Sequence, residues 1–175
     1  FHLSLPARLE SECSWVDHAL FVGYCNTVSL LFQSDGKMAR MEAVSRNMCV
    51  AVCRRAESGA ATCAGDAGAW TTGWLVYEKP GCEASAEVSE PAVGTVLKAH
   101  GSVPPAISVN LESGKDAPGT IVFSPRGVLV GVVNHRMAFK DARFPDDSNS
   151  RVIALSRVGR VTTQVLAGSG ELGDD

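Results

Sequence analysis

Thr27-Val28-Ser29-Leu30-Leu31-Phe32-Gln33-Ser34-Asp35-Gly36-Lys37-Met38-Ala39-Arg40-Met41-Glu42-Ala43 is the stretch on which the fold turns. Two apolar runs, Thr27–Gln33 and Lys37–Ala43, flank Asp35-Gly36. A tight primed turn needs positive φ, which Gly supplies cheaply, so the spacing predicts a β-hairpin. Short β-prone runs continue on either side, with Ala19–Tyr24 before and Asn47–Arg55 and Ala69–Glu78 after. Together they predict an antiparallel meander. Residues 56–68, which hold Gly59, Gly65 and Gly68 among small and polar residues, predict a loop before its last strand. Trp70 and Trp74 lie four apart, hence on one face of that strand, and are expected in the core.

The period then changes. Ser89-Glu90-Pro91 offers a capping residue, an acid and a first-turn proline, Val93, Val96, Leu97 and His100 follow on one helical face, and Gly101 ends the helix. After Val103-Pro104-Pro105 the strand pattern restarts with Ala106–Leu111, Thr120–Phe123, Val128–Val133 and Arg136–Lys140. Asp141–Asn149 is a polar loop and Ser150–Ala154 a last strand. Ala154, Val158, Val161 and Val165 fall at i, i+4, i+7 and i+11 and predict a closing helix. Strands closed by a helix, twice over, predict an α+β chain of two tandem modules, 12–101 and 102–170.

The composition suits that size. The 175 residues are 45% hydrophobic and 20% charged, with a formal net charge of −3 and mean hydropathy of +0.07. That is too apolar for disorder, and no apolar run is long enough for a membrane span. Lys and Arg are scattered, so neither nucleic acid nor membrane is expected as a partner. The first residue is Phe1 and no signal-peptide pattern surrounds it, so the chain reads as a piece of a longer protein. Six cysteines lie at 13, 25, 49, 53, 63 and 82. The chain is long enough to build a core without staples and lacks zinc-ligand spacing, so these are expected as reduced, buried thiols of a cytosolic or nuclear protein, ahead of metal ligands or disulfides. Their confinement to the first half again suggests two units. Residues 102–175 carry 8 basic and 8 acidic side chains, and without Glu171, Asp174 and Asp175 the balance is +3. Arg126, Arg136, Lys140, Arg143, Arg151, Arg157 and Arg160 form a solvated surface or face an acidic or phosphorylated partner.

Catalytic chemistry finds little support. Gly114-Lys115-Asp116-Ala117-Pro118-Gly119-Thr120 resembles the segment around the nucleophile of chymotrypsin-like proteases, but Ala117 and Pro118 stand where Ser or Cys is needed. A divergent or inactive protease is therefore the alternative, not the first reading. No phosphate loop, dinucleotide fingerprint or metalloprotease helix motif appears. The expectation is a non-enzymatic chain without cofactor, metal or catalytic residues.

Ser14-Trp15-Val16-Asp17, then Val28-Ser29-Leu30-Leu31-Phe32 and Asp35-Gly36-Lys37-Met38, resemble the first polo box of polo-like kinases. Ala106-Ile107-Ser108-Val109-Asn110-Leu111-Glu112-Ser113-Gly114 and Thr120-Ile121-Val122-Phe123, leading into Val128-Leu129-Val130, resemble the second. The resemblance covers about residues 14–168 and implies two six-stranded antiparallel sheets, each with a C-terminal helix, packed face to face around a bound peptide. It places Trp15, Val16, Asp17 and Phe123 at the partner, with Arg126 and Val128 at the family's phosphate-clamping His and Lys. Val128 offers neither charge nor donor, which weakens the expectation that binding needs phosphate. Boxes without the clamp occur in centriole-duplication kinases and in kinetoplastid kinetochore kinases, and the Ala-, Val- and Arg-rich, Lys-poor composition suits the latter. The resemblance thus implies a C-terminal localisation domain in the nucleus, binding another kinetochore scaffold protein, with a centriolar or basal-body role as the alternative. The boxes can pair within one chain or swap in a homodimer.

Overall fold

The computed structural model describes residues 14–65, 69–85, 95–111, 119–131, 134–144 and 149–165, with helix side chains described from Thr27 onward. Its first element is one long helix, α1 (Ser14–Arg46). Val28, Phe32, Asp35, Ala39 and Ala43 are all buried, at i, i+4, i+7, i+11 and i+15, which is one continuous helical face. The helix stops at Asn47, whose φ of 53° is left-handed. Asn47 N–H donates to the Val44 carbonyl and Met48 N–H to the Ala43 carbonyl, the paired bonds of a Schellman cap.

The runs expected as strands at Ala19–Tyr24, Thr27–Gln33 and Lys37–Ala43 are therefore all part of α1. Asp35-Gly36 is not a turn. A Cβ on Gly36 would stand 3.4 Å from Val161 Cγ1, an ordinary contact distance, so the glycine is a helical residue that faces Val161, and Asp35 is wholly buried beside it.

Eight strands follow among the described residues: β1 (Val50–Arg54), β2 (Trp74–Glu78), β3 (Val96–His100), β4 (Ile107–Leu111), β5 (Thr120–Phe123), β6 (Asn134–Asp141), β7 (Arg151–Ser156) and β8 (Val161–Val165). They form two four-stranded sheets, ordered β3-β2-β1-β5 and β4-β6-β7-β8, with every pairing antiparallel. Two tandem six-stranded boxes, each with a C-terminal helix, are thus replaced by one N-terminal helix and two sheets. β5, from beyond residue 102, pairs with β1 in register Val52↔Ile121, so the first sheet draws strands from both halves of the chain.

Both helices expected later in the chain are strands where they are described. Val96–His100 is β3, antiparallel to β2, while residues 86–94 lie outside the described residues. The segment from Ala154 to Val165 is the β7–β8 hairpin, turned at Gly159 with φ of 77°. A Cβ there would meet the Gly127 carbonyl oxygen at 1.8 Å, so only glycine fits. Val152, Ile153, Val161, Thr162, Thr163 and Val165 are β-branched, which favours the strand.

α1 packs across both sheets. Phe32 presents its ring to the edges of Trp70 and Trp74, with centroids 5.3 and 5.1 Å away, and to Phe139 of β6 at 5.4 Å. Trp70 and Trp74 are both in the core as expected, but not as one face of a strand: Trp70 lies on a short 3-10 turn (Trp70–Thr72) and only Trp74 is on β2. On β1, Val50 and Val52 join this core, while Ala51 and Cys53 face a second cluster with Leu75, Tyr77 and Val122. That second cluster holds four of the six cysteines. Cys49 is bonded to Cys82 and Cys53 to Cys63, so for these four the expected reduced thiols are corrected to two disulfides, while Cys13 and the side chain of Cys25 lie outside the description. Antiparallel pairing brings each partner beside β1, a proximity that sequence spacing does not reveal.

Candidate functional site

The chemistry of α1 begins inside the protein. Asp35 is fully buried, and its carboxylate accepts a hydrogen bond from Trp74 Nε1 at 2.8 Å and another from Lys98 Nζ. Trp74 stacks face to face on His100, with centroids 4.0 Å apart, and Arg55 Nη1 donates to the His100 carbonyl at 3.0 Å. An acid on α1, an indole on β2 and an ammonium on edge strand β3 thus tie the helix to the first sheet. Both carboxylate oxygens are partnered, which satisfies the requirement for burying a charge. This is a structural clasp and lacks an accessible cleft.

The opposite face of α1 is unusual in being partly apolar. At 100° per residue, Leu30 and Met41 lie opposite the buried stripe, and Leu30, Met41 and Val44 are 54%, 70% and 52% exposed. Near the C-terminal end the helix is fastened to the loop after β5, where Arg40 Nε donates to the Gly127 carbonyl at 2.9 Å. Two open hollows adjoin there and share Arg40 and Met41. One, of about 490 Å³, is also lined by Val44, Ser45 and Arg126; the other, of about 420 Å³, by Lys37, Gly159, Arg160, Val161 and Thr162. The result is an apolar strip with a cationic rim.

The residues that sequence reading singled out are dispersed. Trp15, Val16 and Asp17 lie on the first turn of α1, and their side chains are outside the description. Phe123 is completely buried at the end of β5, while Arg126 and Val128 are exposed in the following loop. There are no facing boxes and hence no cleft between them. Ala117 and Pro118 lie outside the described residues. Among the described residues no three His, Cys, Asp or Glu side chains are grouped to hold a metal ion, and no helix is long and apolar enough to cross a membrane. The clasp of Asp35, Trp74 and Lys98 was missed, although an acid at i+7 within an apolar helical stripe is a legible sign of a buried carboxylate.

Two titratable groups in the second sheet are shifted. Hydrogen bonds from Arg143, whose Nε lies 2.8 Å from Oδ1, hold the buried Asp141 carboxyl below its ordinary range. Burial lowers His135, whose Nε2 is buried without a hydrogen-bond partner. Both lie on β6, at its opposite ends.

A long helix laid across two antiparallel sheets can be compared with known proteins. The family model for type II transport protein GspH matches residues 30–159. The chain belongs to this family. The matched span covers the helix from Leu30, the first sheet, three of the four strands of the second and the Asp35 clasp, and ends before β8. Among solved structures, the type IV minor pilin FimU of Pseudomonas aeruginosa is 16% identical, with a TM-score of 0.55 over 79% of this chain and 91% of its own. A second crystal form of FimU gives the same score and identity. The minor pseudopilin EpsH from the type 2 secretion system of Vibrio cholerae is 10% identical, with a TM-score of 0.50 over 84% of this chain and 99% of its own. At these identities the likeness shows a shared fold. No curated protein matches.

GspH membership overturns the polo-box resemblance and what it implied. The kinetochore function, the centriolar alternative and the nuclear location were implied by that resemblance and fall with it, and its first-box segments, Ser14–Asp17, Val28–Phe32 and Asp35–Met38, all lie in the helix of this GspH-family chain.

Proposed function

We propose that this chain is a non-catalytic structural subunit of a type II transport assembly, working outside the cytosol by contact with other proteins of that assembly. The single observation that carries the reading is the GspH match over residues 30–159. Physical features support it. The disulfides Cys49–Cys82 and Cys53–Cys63 suit an oxidising compartment such as an envelope space. The clasp ties α1 to the first sheet and Phe32 packs on Phe139 of the second, so a load applied to the helix is passed to both sheets. The outward apolar residues of α1 offer protein contacts, and that role needs neither nucleophile nor cofactor.

A second reading is favoured by the likeness to FimU, whose description is type IV minor pilin, and places the chain in a pilus of that kind. One experiment separates the two. The gene is deleted in frame and restored in trans, and exported proteins in the medium are measured beside surface pili. Loss of export with normal pili supports the transport reading, and the converse supports the pilus reading. Normal export and normal pili in the deletion strain refute both.

A further inference from the structure

The hollows around Met41 carry an inference about what that surface meets. Met41 and Val44 are exposed one turn apart on a helix whose opposite face is fully packed, which leaves an unpartnered apolar strip. Lys37, Arg40, Arg126 and Arg160 line the same two hollows. Among the described residues none of these four is paired with a carboxylate. Some cations elsewhere are paired with acids: Arg46 with Glu42 and Glu78, Lys79 with Glu83, Lys98 with Asp35, and Arg143 with Asp141. Four unpaired cations around one apolar strip set a charge that a partner of opposite sign would neutralise.

The rim is also held in place. Gly127 and Gly159 have φ of 71° and 77°, and the two loops meet so closely that a Cβ on Gly159 would strike the Gly127 carbonyl. Leu129 N–H donates to the Arg157 carbonyl at 3.0 Å, Ser156 N–H to the Arg160 carbonyl at 3.0 Å, and Arg40 Nε to the Gly127 carbonyl. The backbones that carry Arg126 and Arg160 are therefore positioned before a partner arrives, which lowers the ordering cost of binding. A planar guanidinium matches a carboxylate through two parallel hydrogen bonds.

We propose that this surface receives an acidic segment of a partner protein, with an apolar side chain against Met41 and Val44 and carboxylates on Arg126 and Arg160. This deepens the assembly reading and rests on it for the partner being a protein. A concave site with apolar floor and fixed cations suits an inserted segment better than the flat surface of an anionic bilayer. It gives a specific use to part of the basic side chains in residues 126–160.

The test places p-benzoylphenylalanine at Met41 in the full-length chain, expressed in cells that contain its assembly. After irradiation the adduct is isolated and the cross-linked segment sequenced. The expected adduct is to another protein, through a segment with at least two carboxylates within three residues of the cross-link. Arg126→Glu combined with Arg160→Glu should lower the adduct about tenfold, the sum of two exposed pairs turned repulsive. Lysines in place of the segment's carboxylates should restore it in that double variant. Both arginines are exposed, so an unchanged thermal melt shows that the fold is intact. An adduct to a second copy of the chain, to lipid, or to a segment without carboxylates overturns the proposal. So does an adduct indifferent to the double variant, or none while the chain still fractionates with its assembly. If deletion leaves export and pili normal while the acidic adduct forms and responds to charge, the assembly reading fails and the surface stands.

Discussion

Replacing Lys98 by Met probes the clasp that holds α1 to the first sheet. The variant keeps most of the side-chain volume and removes the ammonium. Asp35, with no solvent exposure, would then keep a single hydrogen bond, from Trp74 Nε1. Removing one partner of a fully buried pair costs about 3–5 kcal/mol, because the other charge is left uncompensated. The Lys98 side chain is 41% exposed, so water partly screens the pair, and the expected loss is about 2–3 kcal/mol. Asp35→Asn removes the charge but leaves a carbonyl to accept from the indole, and should cost only about 1–2 kcal/mol. The double variant has no stranded charge and should be more stable than Lys98→Met alone. Urea unfolding followed by tryptophan fluorescence, with disulfides intact, gives all four stabilities, since Trp74 is in the clasp and Trp70 beside it. A Lys98→Met loss below about 0.5 kcal/mol, as for a surface pair, would refute the reasoning. So would a double variant whose loss equals the sum of the singles.

Gly36→Ala should be neutral or stabilising by up to about 1 kcal/mol, since a helical φ suits Ala and the new Cβ meets Val161 at contact distance. Gly36→Leu should cost about 1–3 kcal/mol by overpacking, and thermal melts of both variants distinguish this from a hairpin glycine, which Ala would disrupt. Cys49→Ala with Cys82→Ala removes a cross-link over a 33-residue separation and should lose about 4 kcal/mol, whereas the pair Cys53→Ala and Cys63→Ala, separated by 10, should lose about 3 kcal/mol. Reduction that leaves the urea midpoint unmoved would contradict both. Asp141 has its carboxyl lowered from 3.8 by Arg143, so the ionised form favours the native state. Its stabilisation is fully present above that ordinary value and is lost as pH falls through the lower native one, so Asp141→Asn should flatten the acid limb of a stability–pH curve.

Much of the sheet structure was legible. β1, β2, β4 and β5 fall within the expected runs and β6 and β7 overlap theirs, whereas Val128–Gly131, expected as the start of a strand, is a loop and Trp70 sits on a 3-10 turn. The helix was not legible, for two reasons. Asp35-Gly36 is a strong local turn signal, and only the distant Trp74, Lys98 and Val161 reveal its other use. Leu30, Leu31, Met41 and Val44 also place apolar residues off the buried face, so the helical period was blurred and two short β-prone runs were read instead. In β7–β8 the error ran the other way. Ala154, Val158, Val161 and Val165 match a helical stripe, but Val158 and Val165 are exposed and Gly159 turns the chain. The strip at Met41 was half legible: the cations of residues 126–160 suggested an acidic partner, but the helix that supplies its apolar floor was read as a strand.

If this GspH-family chain is a built-in part of an envelope assembly, as proposed, it co-fractionates with the other components of that assembly. The full-length chain is tagged at its chromosomal locus, envelopes are extracted in mild detergent, and the extract is separated by size with mass spectrometry of each fraction. The chain is expected in a high-mass fraction together with other type II transport or pilus components, with both disulfides oxidised. Elution alone at monomer size, or with cytosolic proteins and free thiols at Cys49, Cys53, Cys63 and Cys82, would contradict the account.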